Sequence, residues 1–423
     1  MSDLWISNLS EVATPLGTEA LGGPAQAAVS RQHGVDIWCR NGEIAAVASP
    51  TEIAELASHS QQVERLDGGG GTLVPGFVDP HTHLPWAGSR ESEFAQRLAG
   101  KSYQEIAAGG GGILSTVRAT RQAEHSELVA NVERRLDRML AWGTTTVEAK
   151  SGYGLSLTDE LKQLRALAEA AAGHPLEVVP TLLAAHETPP EHRGDPDAYI
   201  EIICRDIVPA VATAGLARYC DVFCEQGVFT PEQSRRVLEA GIEHGLEPRL
   251  HADEFVDSHG AELAAEVGAL TADHLMAISP AGIEALAAGG VIAGLLPGTS
   301  FFLKKRDYAP ARALIAAGIP VTLATDCNPG SSHTESLPMI FWLAVLNLDM
   351  SVDEALTAIT LNAAASLGLA DQIGTIEVGK QADFVLLEGD SFDHLAYHYG
   401  VHPVQAVVKG GVVAYRKAGG TGC

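Results

Sequence analysis

The feature that most constrains the fold is a regular alternation of β-like and helical runs between residues 72 and 369. Apolar stretches typical of buried strands recur eight times there, at 72–78, 144–149, 176–185, 219–224, 247–250, 269–271, 291–296 and 320–324. Helical patterns separate them, for example at 159–172, 231–244 and 280–288. Because alternating strands and helices build parallel sheets, eight such units predict an α/β fold, a (β/α)8 TIM barrel.

Short β-like runs also lie at both ends of the chain. They occupy 4–9, 35–39 and 43–48 before the barrel, with a helical run at 50–57, and 384–387 and 404–415 after it. Gly410 and Gly411 predict a hairpin turn within the last run. The N-terminal unit is too small to bury a core alone, so we expect the two ends to pair. The predicted organisation is a small discontinuous β-rich domain from residues 1–73 and 371–423, with a barrel from residues 74–370.

Composition excludes several classes of partner. The chain has 423 residues and a formal net charge of -25. Phosphate binding needs clustered Lys and Arg, so we expect neither a nucleic acid nor a membrane surface as partner. No apolar run approaches the roughly 18 residues of a membrane span, and no basic segment precedes an apolar one at the N-terminus. Because six scattered Cys show no disulfide framework, we predict a soluble, cytoplasmic protein.

Polar side chains follow the ends of the predicted barrel strands, where proteins of this architecture carry their chemistry. His81 and His83 end the first run, and because they lie two residues apart on an extended backbone, both imidazoles leave the same face. An isolated His-x-His could equally be a solvated loop. Four other runs, however, end with further His and Asp residues: His186, His251, Asp273 with His274, and Asp326. This recurrence favours a single functional site.

Part of this set has the character of metal ligands. The two imidazoles of the first strand, His251 and the Asp326 carboxylate offer three nitrogens and one oxygen, which suit one zinc or iron ion. Such an ion would acidify a water and polarise a carbonyl oxygen. Glu254, three residues after His251, is a candidate for proton transfer. Its neighbour Asp253 is the alternative candidate for this role, but we interpret Asp253 as a solvated acid of the loop. His274 is a second candidate to orient or deprotonate the water.

Several longer motifs carry a resemblance to a known family. They are Val78-Asp79-Pro80-His81-Thr82-His83, Gly88-Ser89-Arg90-Glu91, Gly110-Gly111-Gly112-Ile113, Lys150-Ser151-Gly152-Tyr153-Gly154-Leu155, His251-Ala252-Asp253-Glu254-Phe255, Ala324-Thr325-Asp326-Cys327-Asn328-Pro329-Gly330-Ser331 and Gly379-Lys380-Gln381-Ala382-Asp383-Phe384. On these motifs the chain resembles the amidohydrolase superfamily of metal-dependent (β/α)8 hydrolases and, within it, the imidazolonepropionase family of ring-opening hydrolases. The resemblance runs over essentially the whole chain.

This resemblance implies a substrate and a set of residue roles. Family members hydrolyse the ring amide of 4-imidazolone-5-propanoate to N-formimidoyl-L-glutamate in histidine degradation, and a homodimer is the family expectation. The implied ligands of one divalent or trivalent metal ion, zinc or iron, are His81, His83, His251 and Asp326. The implied substrate contacts are Arg90, Tyr153, His186, Glu254, Asn328, Gly330 and Ser331. Our own mechanistic hypothesis assigns the catalytic roles to Glu254, His274 and Asp326.

The chemistry of the implied substrate contacts agrees with that assignment. Arg90 offers a fork of donors for a propionate carboxylate. Tyr153 and His186 would donate to oxygens of the ring or the carboxylate. Further donors beside the metal would come from Asn328 and from the turn at Gly330 and Ser331. A Thr is also common in the family where this chain has Ser331, and the hydroxyl is kept.

Lys150 bears on the number of metal ions. In binuclear relatives a carboxylated strand lysine bridges two metals. Lys150 follows the second predicted strand rather than the fourth, and belongs to the Lys-Ser-Gly-Tyr motif of the family. We therefore expect one ion per chain.

Two other functions are compatible with these residues. A purine or pyrimidine deaminase would use the same His and Asp ligands, but Arg90 together with Tyr153 favours a substrate that bears a carboxylate. A catalytically inactive barrel that serves only for assembly is the other alternative. The intact ligand set argues against it.

Overall fold

Strands and helices alternate through the middle of the chain in the computed structural model, which describes residues 3–101, 105 and 111–418. The strands are β1 (Asp3–Ser7), β2 (Glu11–Pro15), β3 (Val29–Gln32), β4 (Asp36–Arg40), β5 (Glu43–Ala48), β6 (Val63–Asp67), β7 (Thr72–Pro75), β8 (Phe77–Asp79), β9 (Thr144–Lys150), β10 (Glu177–Ala185), β11 (Tyr219–Cys224), β12 (Glu247–Ala252), β13 (Thr271–His274), β14 (Ile292–Leu295), β15 (Val321–Leu323), β16 (Phe384–Leu387), β17 (Val404–Lys409) and β18 (Val412–Arg416).

The helices of the described residues lie mainly between the barrel strands. They are Pro50–Ser58, Glu91–Leu98, Ile113–Gln122, His125–Ala141, Leu157–Ala172, Pro196–Ile202, Val208–Thr213, Pro231–Glu243, Gly260–Glu266, Pro280–Gly289, Pro297–Phe302, Ala311–Ala316, Leu337–Asn347, Val352–Ala358, Leu361–Ala365 and Asp393–Tyr397, with a π-helical segment at Ile203–Ile207 and short 3-10 helices at Gly23–Ala27 and Pro190–His192. None of these helices has both the length and the apolar character that crossing a membrane requires.

The central sheet consists of eight strands, β8 to β15, in chain order. Each strand is parallel to the next, as where His251 of β12 lies opposite Asp273 of β13. β15 and β8 meet just beyond their carboxyl ends. Thr82 and Cys327 form a parallel bridge there, and His83 N donates to Cys327 O at 3.0 Å. The sheet therefore closes on itself, and the predicted (β/α)8 barrel is confirmed.

The first predicted barrel strand consists of two strands. The run 72–78 divides at Gly76, where β7 leaves to pair with β16 and β2 while β8 enters the barrel beside β9. A Cβ at Gly76 would collide with the side chain of Thr145, so the close approach to β9 requires glycine. The prediction of one strand was wrong because an apolar run does not reveal which sheet each half joins.

Two smaller sheets hold the ends of the chain. N-terminal residues alone form the sheet β5-β4-β1-β6, whereas the sheet β18-β17-β16-β7-β2-β3 joins both ends. The pairing of the two ends is thus confirmed. The sequence pattern does not predict β2, β3 or β6, because strands such as VSRQ and VERLD carry few apolar residues. The domain boundaries at residues 73 and 370 stay a prediction, and β7 crosses the first of them.

Local sequence explains where the barrel helices begin. Thr230 accepts a hydrogen bond from Gln233 N, the Gln233 side chain accepts from Thr230 N, and Pro231 takes the first helical position. The helix Pro231–Glu243 therefore starts where the sequence predicts. Because helices of this kind cover the outside of the barrel, its inward-facing and strand-end residues are left to form the site.

Candidate metal and substrate site

The predicted ligands meet at the carboxyl end of the barrel. His81 and His83 follow β8, His251 is the last residue but one of β12, and Asp326 follows β15. All four side chains are buried. The ring centroid of His81 lies 5.3 Å from that of His83 and 4.5 Å from that of His251. Asp326 Oδ1 is 3.7 Å from His81 Nε2 and 3.3 Å from His83 Nε2. Ligand atoms within 4.8 Å of one another form two groups that share His81: one with His83 and His251, the other with His274 and Asp326.

Hydrogen bonds orient two of the imidazoles with their lone pairs turned inward. His81 Nδ1 donates to Asp273 Oδ2 at 2.7 Å, and His251 Nδ1 donates to Asp221 Oδ1 at 3.0 Å. The opposite nitrogens, His81 Nε2 and His251 Nε2, are buried without a hydrogen-bond partner among the described residues. A buried polar atom without a partner is costly, and a carboxylate behind the ring is the usual support of a metal ligand. This donor set fits a divalent metal ion.

The lowered pKa values of two of the predicted ligands also favour metal binding. Burial, followed by the charge of Lys150, holds the pKa of His81 well below its usual range. Burial, followed by the neighbouring His251, does the same to the pKa of His83. Because a neutral imidazole is the form that binds metal, the site keeps its ligands ready at ordinary pH.

Neighbouring hydroxyl groups direct Asp326. Thr299 Oγ1 donates to Asp326 Oδ2 at 2.6 Å, and Ser331 Oγ lies 3.4 Å from the same oxygen. These contacts occupy Oδ2. The other oxygen, Oδ1, is the one that faces the imidazoles of His81 and His83.

Left-handed backbone recurs at the ends of the strands around the site. The φ angles are 51° at Asp253, 79° at His274, 59° at Leu275 and 52° at Asp326. Such conformations are costly for residues with a side chain, and they cluster where a fold must present particular groups. Nothing in the local sequence predicts them, because none of these residues is glycine.

The two predicted proton-transfer residues lie together. Glu254 Oε2 is 3.8 Å from His274 Nε2, and both side chains are buried. Burial and then the nearby charge of Asp326 raise the pKa of Glu254 well above its usual range. Burial lowers the pKa of His274 to about 3, so its ring is neutral. A carboxyl group of raised pKa beside a neutral imidazole is suited to proton transfer.

Asp253, the predicted rival of Glu254, does not reach the site. Its Oδ1 accepts from Gly260 N at 3.0 Å and its Oδ2 accepts from Ala261 N at 3.0 Å, so it caps the helix Gly260–Glu266. The side chain is fully buried. The interpretation of Asp253 as a solvated acid was therefore wrong. It holds the loop that presents Glu254.

Arg90 lies beside the loop that carries Asp326. A Cβ on Gly330 would overlap the guanidinium of Arg90, so glycine is what lets the two approach. Arg90 Nε donates to Glu93 Oε2 at 2.9 Å, and Ser115 Oγ donates to Glu93 Oε1 at 2.8 Å. Within the described residues this leaves the Nη groups of Arg90 for another partner. The guanidinium lines a cavity of about 260 Å³ between the helix Glu91–Leu98, Phe302 and the loop 329–333.

Tyr153 and His186 lie beside the predicted metal ligands. His186 stacks on His83 with ring centroids 5.1 Å apart, and Tyr153 lies 5.3 Å from His186. His186 Nδ1 is 3.0 Å from Gly152 O, and because a carbonyl only accepts, Nδ1 carries the hydrogen. Burial holds the pKa of His186 well below its usual range, so Nε2 is an acceptor. A neutral ring with this hydrogen can accept from an N–H group, and donation from His186 to a substrate oxygen stays a prediction.

The loop after Asp326 is held by its own hydrogen bonds. Asn328 Nδ2 donates to Asp326 O at 2.7 Å and to Ser331 Oγ at 2.9 Å, while Asn328 Oδ1 accepts from Gly330 N at 2.7 Å and Ser331 N at 2.8 Å. The N–H groups that we expect to face a ligand are thus engaged within the loop in this structure. The loop instead positions Asp326 and Gly330, and substrate contact with its residues stays a prediction.

Several residues that shape the site are not found by inspecting strand ends. They are Glu93, Glu148, Asp221, Glu225 and Thr299. One of them carried a usable signal: Asp221 is an acid inside the apolar run 219–224, and a buried acid needs a partner. Gly110 of the family's glycine motif lies outside the described residues.

Gly294 of β14 makes room for the carboxylate behind His81. A Cβ at Gly294 would overlap Asp273 Oδ1, and Asp273 Oδ2 is the acceptor for His81 Nδ1. We expect Gly294→Ala to weaken metal binding about 10- to 100-fold, the usual result of disturbing the support of a metal ligand. Competition with a chelator measures the affinity. Gly173→Ala is the matched control, because nothing lies within 4 Å of its Cβ position; unchanged affinity in Gly294→Ala would contradict this role.

Known proteins are similar in sequence to this chain over most of its length. A model of the Amidohydrolase family matches residues 104–415. An imidazolonepropionase of Geobacillus kaustophilus is 50% identical over 378 residues, which cover 89% of this chain and 89% of that protein. An imidazolonepropionase of Brevibacillus brevis is 46% identical over 413 residues, which cover 97% of each.

Solved structures share the fold at low sequence identity. A triazine hydrolase variant matches with a TM-score of 0.76 at 19% identity, covering 97% of this chain and 94% of its own. An adenosine deaminase from Xanthomonas campestris, solved with bound zinc, matches with a TM-score of 0.71 at 20% identity, covering 97% and 92%. These structures support the fold alone. From the family match and the relatives that are 46% to 50% identical, the chain belongs to the amidohydrolase family and, within it, to the imidazolonepropionases.

Proposed function

We propose that this chain hydrolyses the ring amide of 4-imidazolone-5-propanoate to N-formimidoyl-L-glutamate, a step of histidine degradation. The observation that carries the proposal is the approach of the Arg90 guanidinium to Gly330, on the same loop as Asp326. A guanidinium fork close to a metal-type site selects a substrate whose carboxylate is near the bond to be cleaved. The two relatives reported above carry the name of this activity.

The metal site would use four residues, His81, His83, His251 and Asp326. When bound, one zinc or iron ion supplies Lewis-acid chemistry, polarising the substrate carbonyl and acidifying the attacking water. The unpartnered Nε2 atoms of His81 and His251 support this ligand set, as do the carboxylates behind both rings. Three nitrogens and one oxygen suit either metal, so the choice between zinc and iron rests on metal supply and on measurement.

Substrate would be oriented at its two ends. The Nη groups of Arg90 would bind the propionate carboxylate, with Glu93 holding Nε from behind. The hydroxyl of Tyr153 would donate to a substrate oxygen. His186 would accept from a ring N–H through Nε2, because Gly152 O fixes the hydrogen on Nδ1. Gly330 would contribute the space that Arg90 needs.

Proton transfers would fall to the buried residues beside the ligands. Glu254 would accept a proton from the attacking water as the oxygen bonds to the amide carbon, and His274 would orient that water through its neutral ring. The carbon–nitrogen bond then breaks, and the ring nitrogen takes a proton with the help of Asp326. The carbonyl becomes a carboxylate. The raised pKa of Glu254 suits a group that must hold a proton between these two steps.

Glu254→Gln tests this assignment. The amide cannot accept the proton of the water, so we expect kcat to fall about 10²- to 10⁴-fold, the usual contribution of a general base. Bound metal should stay at the wild-type level, because Glu254 is not among the ligands. Asp257→Asn, an exposed acid of the same loop, is the matched control. Normal turnover by Glu254→Gln would remove Glu254 from the mechanism.

A panel of substrates separates the proposed activity from deamination. The metal-loaded protein is mixed with 4-imidazolone-5-propanoate, with the same ring lacking the propionate, and with adenine, guanine and cytosine. We expect formimidoylglutamate from the first compound, much slower opening of the second and no ammonia from the bases. Release of ammonia from a base at a higher kcat/KM would favour a deaminase. No reaction with any compound and no bound metal would favour an inactive scaffold.

For location and assembly we propose the cytoplasm and a homodimer. The five cysteines within the described residues are free thiols, as is common in a reducing compartment. A closed twofold dimer is the commonest assembly of soluble enzymes. Sedimentation of the purified protein measures the assembly, and a monomer at micromolar concentration would contradict it.

A further inference from the structure

Lys150 is a buried cation that the mechanism above does not use. It ends β9, and its side chain is fully buried. Its Nζ lies 2.8 Å from Glu148 Oε1 and 2.8 Å from Asp221 Oδ2. A buried ammonium survives only with such partners, and here it has two. Each partner leads to a different part of the proposed metal site.

The first branch runs through Asp221 to the third histidine. Asp221 Oδ1 accepts from His251 Nδ1 at 3.0 Å and from His251 N at 3.2 Å. Asp221 therefore fixes both the ring and the backbone of His251. Lys150 forms an ion pair with the other oxygen of the same carboxylate, and this attraction favours one orientation of that carboxylate.

The second branch runs through Glu148 to the His-x-His segment. Glu148 Oε2 accepts from Thr82 N at 3.2 Å, and Thr82 Oγ1 donates to Glu148 O at 2.7 Å. Lys150 N also donates to Thr82 O at 2.9 Å. Because Thr82 lies between His81 and His83, these bonds hold the segment that carries both ligands.

The charges of the cluster favour an ammonium at Lys150 rather than a carboxylated lysine. A carboxylated Lys150 would place a third negative group between Glu148 and Asp221, in a region closed to water. As an ammonium, Lys150 offsets both acids. Burial lowers its pKa, but Asp221 and Glu148 raise it further, and the net pKa lies above the usual value.

We propose that Lys150 is a positioning residue that ties His251 to the segment 81–83 through Asp221 and Glu148, and thereby sets the affinity of the site for a single metal ion. This inference rests on the ligand set of the proposed function, but not on the identity of the substrate. It adds a structural reason for the Lys-Ser-Gly-Tyr motif: its lysine acts on the ligands, not on the substrate.

The test compares Lys150→Met with the full-length wild type, using Zn²⁺ affinity by chelator competition and the visible spectrum of the Co²⁺-loaded protein. We expect affinity to fall about 10- to 100-fold, as when other supports of metal ligands are removed, and the Co²⁺ spectrum to change because His251 moves. Lys380→Met is the matched control: Lys380 is also buried, and it donates to Gly17 O and Ala370 O in another part of the chain. Unchanged affinity and an unchanged spectrum in folded Lys150→Met would overturn the proposal.

Loss of the lysine could also unfold the protein by leaving two acids unpaired. Glu148→Gln/Lys150→Met removes one of those charges and leaves Asp221 with His251 as its partner, so this variant should fold and should show the same weaker affinity. Wild-type affinity in it would overturn the proposal. A carbamate signal from wild-type protein in ¹³C-bicarbonate would do so as well. None of these measurements uses substrate. Their interpretation would therefore be the same if the protein did not hydrolyse 4-imidazolone-5-propanoate.

Discussion

Replacing Asp326 by asparagine is expected to lower kcat about 10³-fold and to weaken metal binding at the same time. Asn lacks the negative charge that faces His81 and His83, and it cannot pass a proton to the leaving nitrogen. Thr299 and Ser331 still contact the side chain, so the loop should keep its shape. The measurements are kcat at saturating substrate and metal content after dialysis.

The control for Asp326→Asn is Asp371→Asn, an exposed substitution of the same type. It should leave both quantities unchanged. Full metal content with a large loss of kcat would restrict Asp326 to proton transfer. Full metal content with full turnover would remove Asp326 from the site altogether.

Replacing Arg90 by glutamine is expected to lower kcat/KM about 10²-fold, mainly by raising KM. Hydrogen bonds to a charged group are worth about 1.5–3 kcal/mol each, and a guanidinium fork makes two. The loss of roughly 3 kcal/mol corresponds to about two powers of ten. Initial rates over a range of substrate concentration give KM and kcat separately.

Arg205→Gln is the control for Arg90→Gln, because Arg205 is exposed and pairs with the adjacent Asp206. It should not change KM. The ring compound without the propionate provides a second comparison, since its slow opening should be equally slow in wild type and Arg90→Gln. An unchanged KM for 4-imidazolone-5-propanoate in Arg90→Gln would mean that another group binds the carboxylate.

The barrel and the meeting of the four predicted ligands could be predicted because both follow from local patterns. Apolar runs mark strands wherever they lie, and in a parallel barrel every strand ends at the same rim. The position of His81, His83, His251 and Asp326 directly after or within such runs is therefore enough to bring them together. The pairing of the chain ends follows similarly from their small size.

Other features depend on contacts between distant residues and could not be predicted. Gly76 divides one apolar run between two sheets because Thr145 lies against it. Asp253 and Glu254 are adjacent acids, and only the helix that Asp253 caps shows which of them faces the site. Likewise, the hydrogen on His186 is assigned by a carbonyl 34 residues away.

The buried charges are the clearest example of what sequence reasoning misses. Glu148 and Asp221 lie within apolar runs and Lys150 directly follows one, but no motif relates the three to one another. Their ion pairs arise because β9 and β11 bring them to one side of the barrel interior. The sequence shows that such charges need partners, but the partners become known only with the fold.

The most direct test is to follow the ultraviolet absorbance of freshly generated 4-imidazolone-5-propanoate with three samples: metal-loaded protein, protein stripped by a chelator, and stripped protein reloaded with one equivalent of Zn²⁺ or Fe²⁺. We expect the ring chromophore to disappear with the loaded and reloaded samples alone, with full recovery at one metal ion per chain. Loss of the chromophore at the same rate in the stripped sample, or no loss in any sample, would contradict metal-dependent ring hydrolysis at this site.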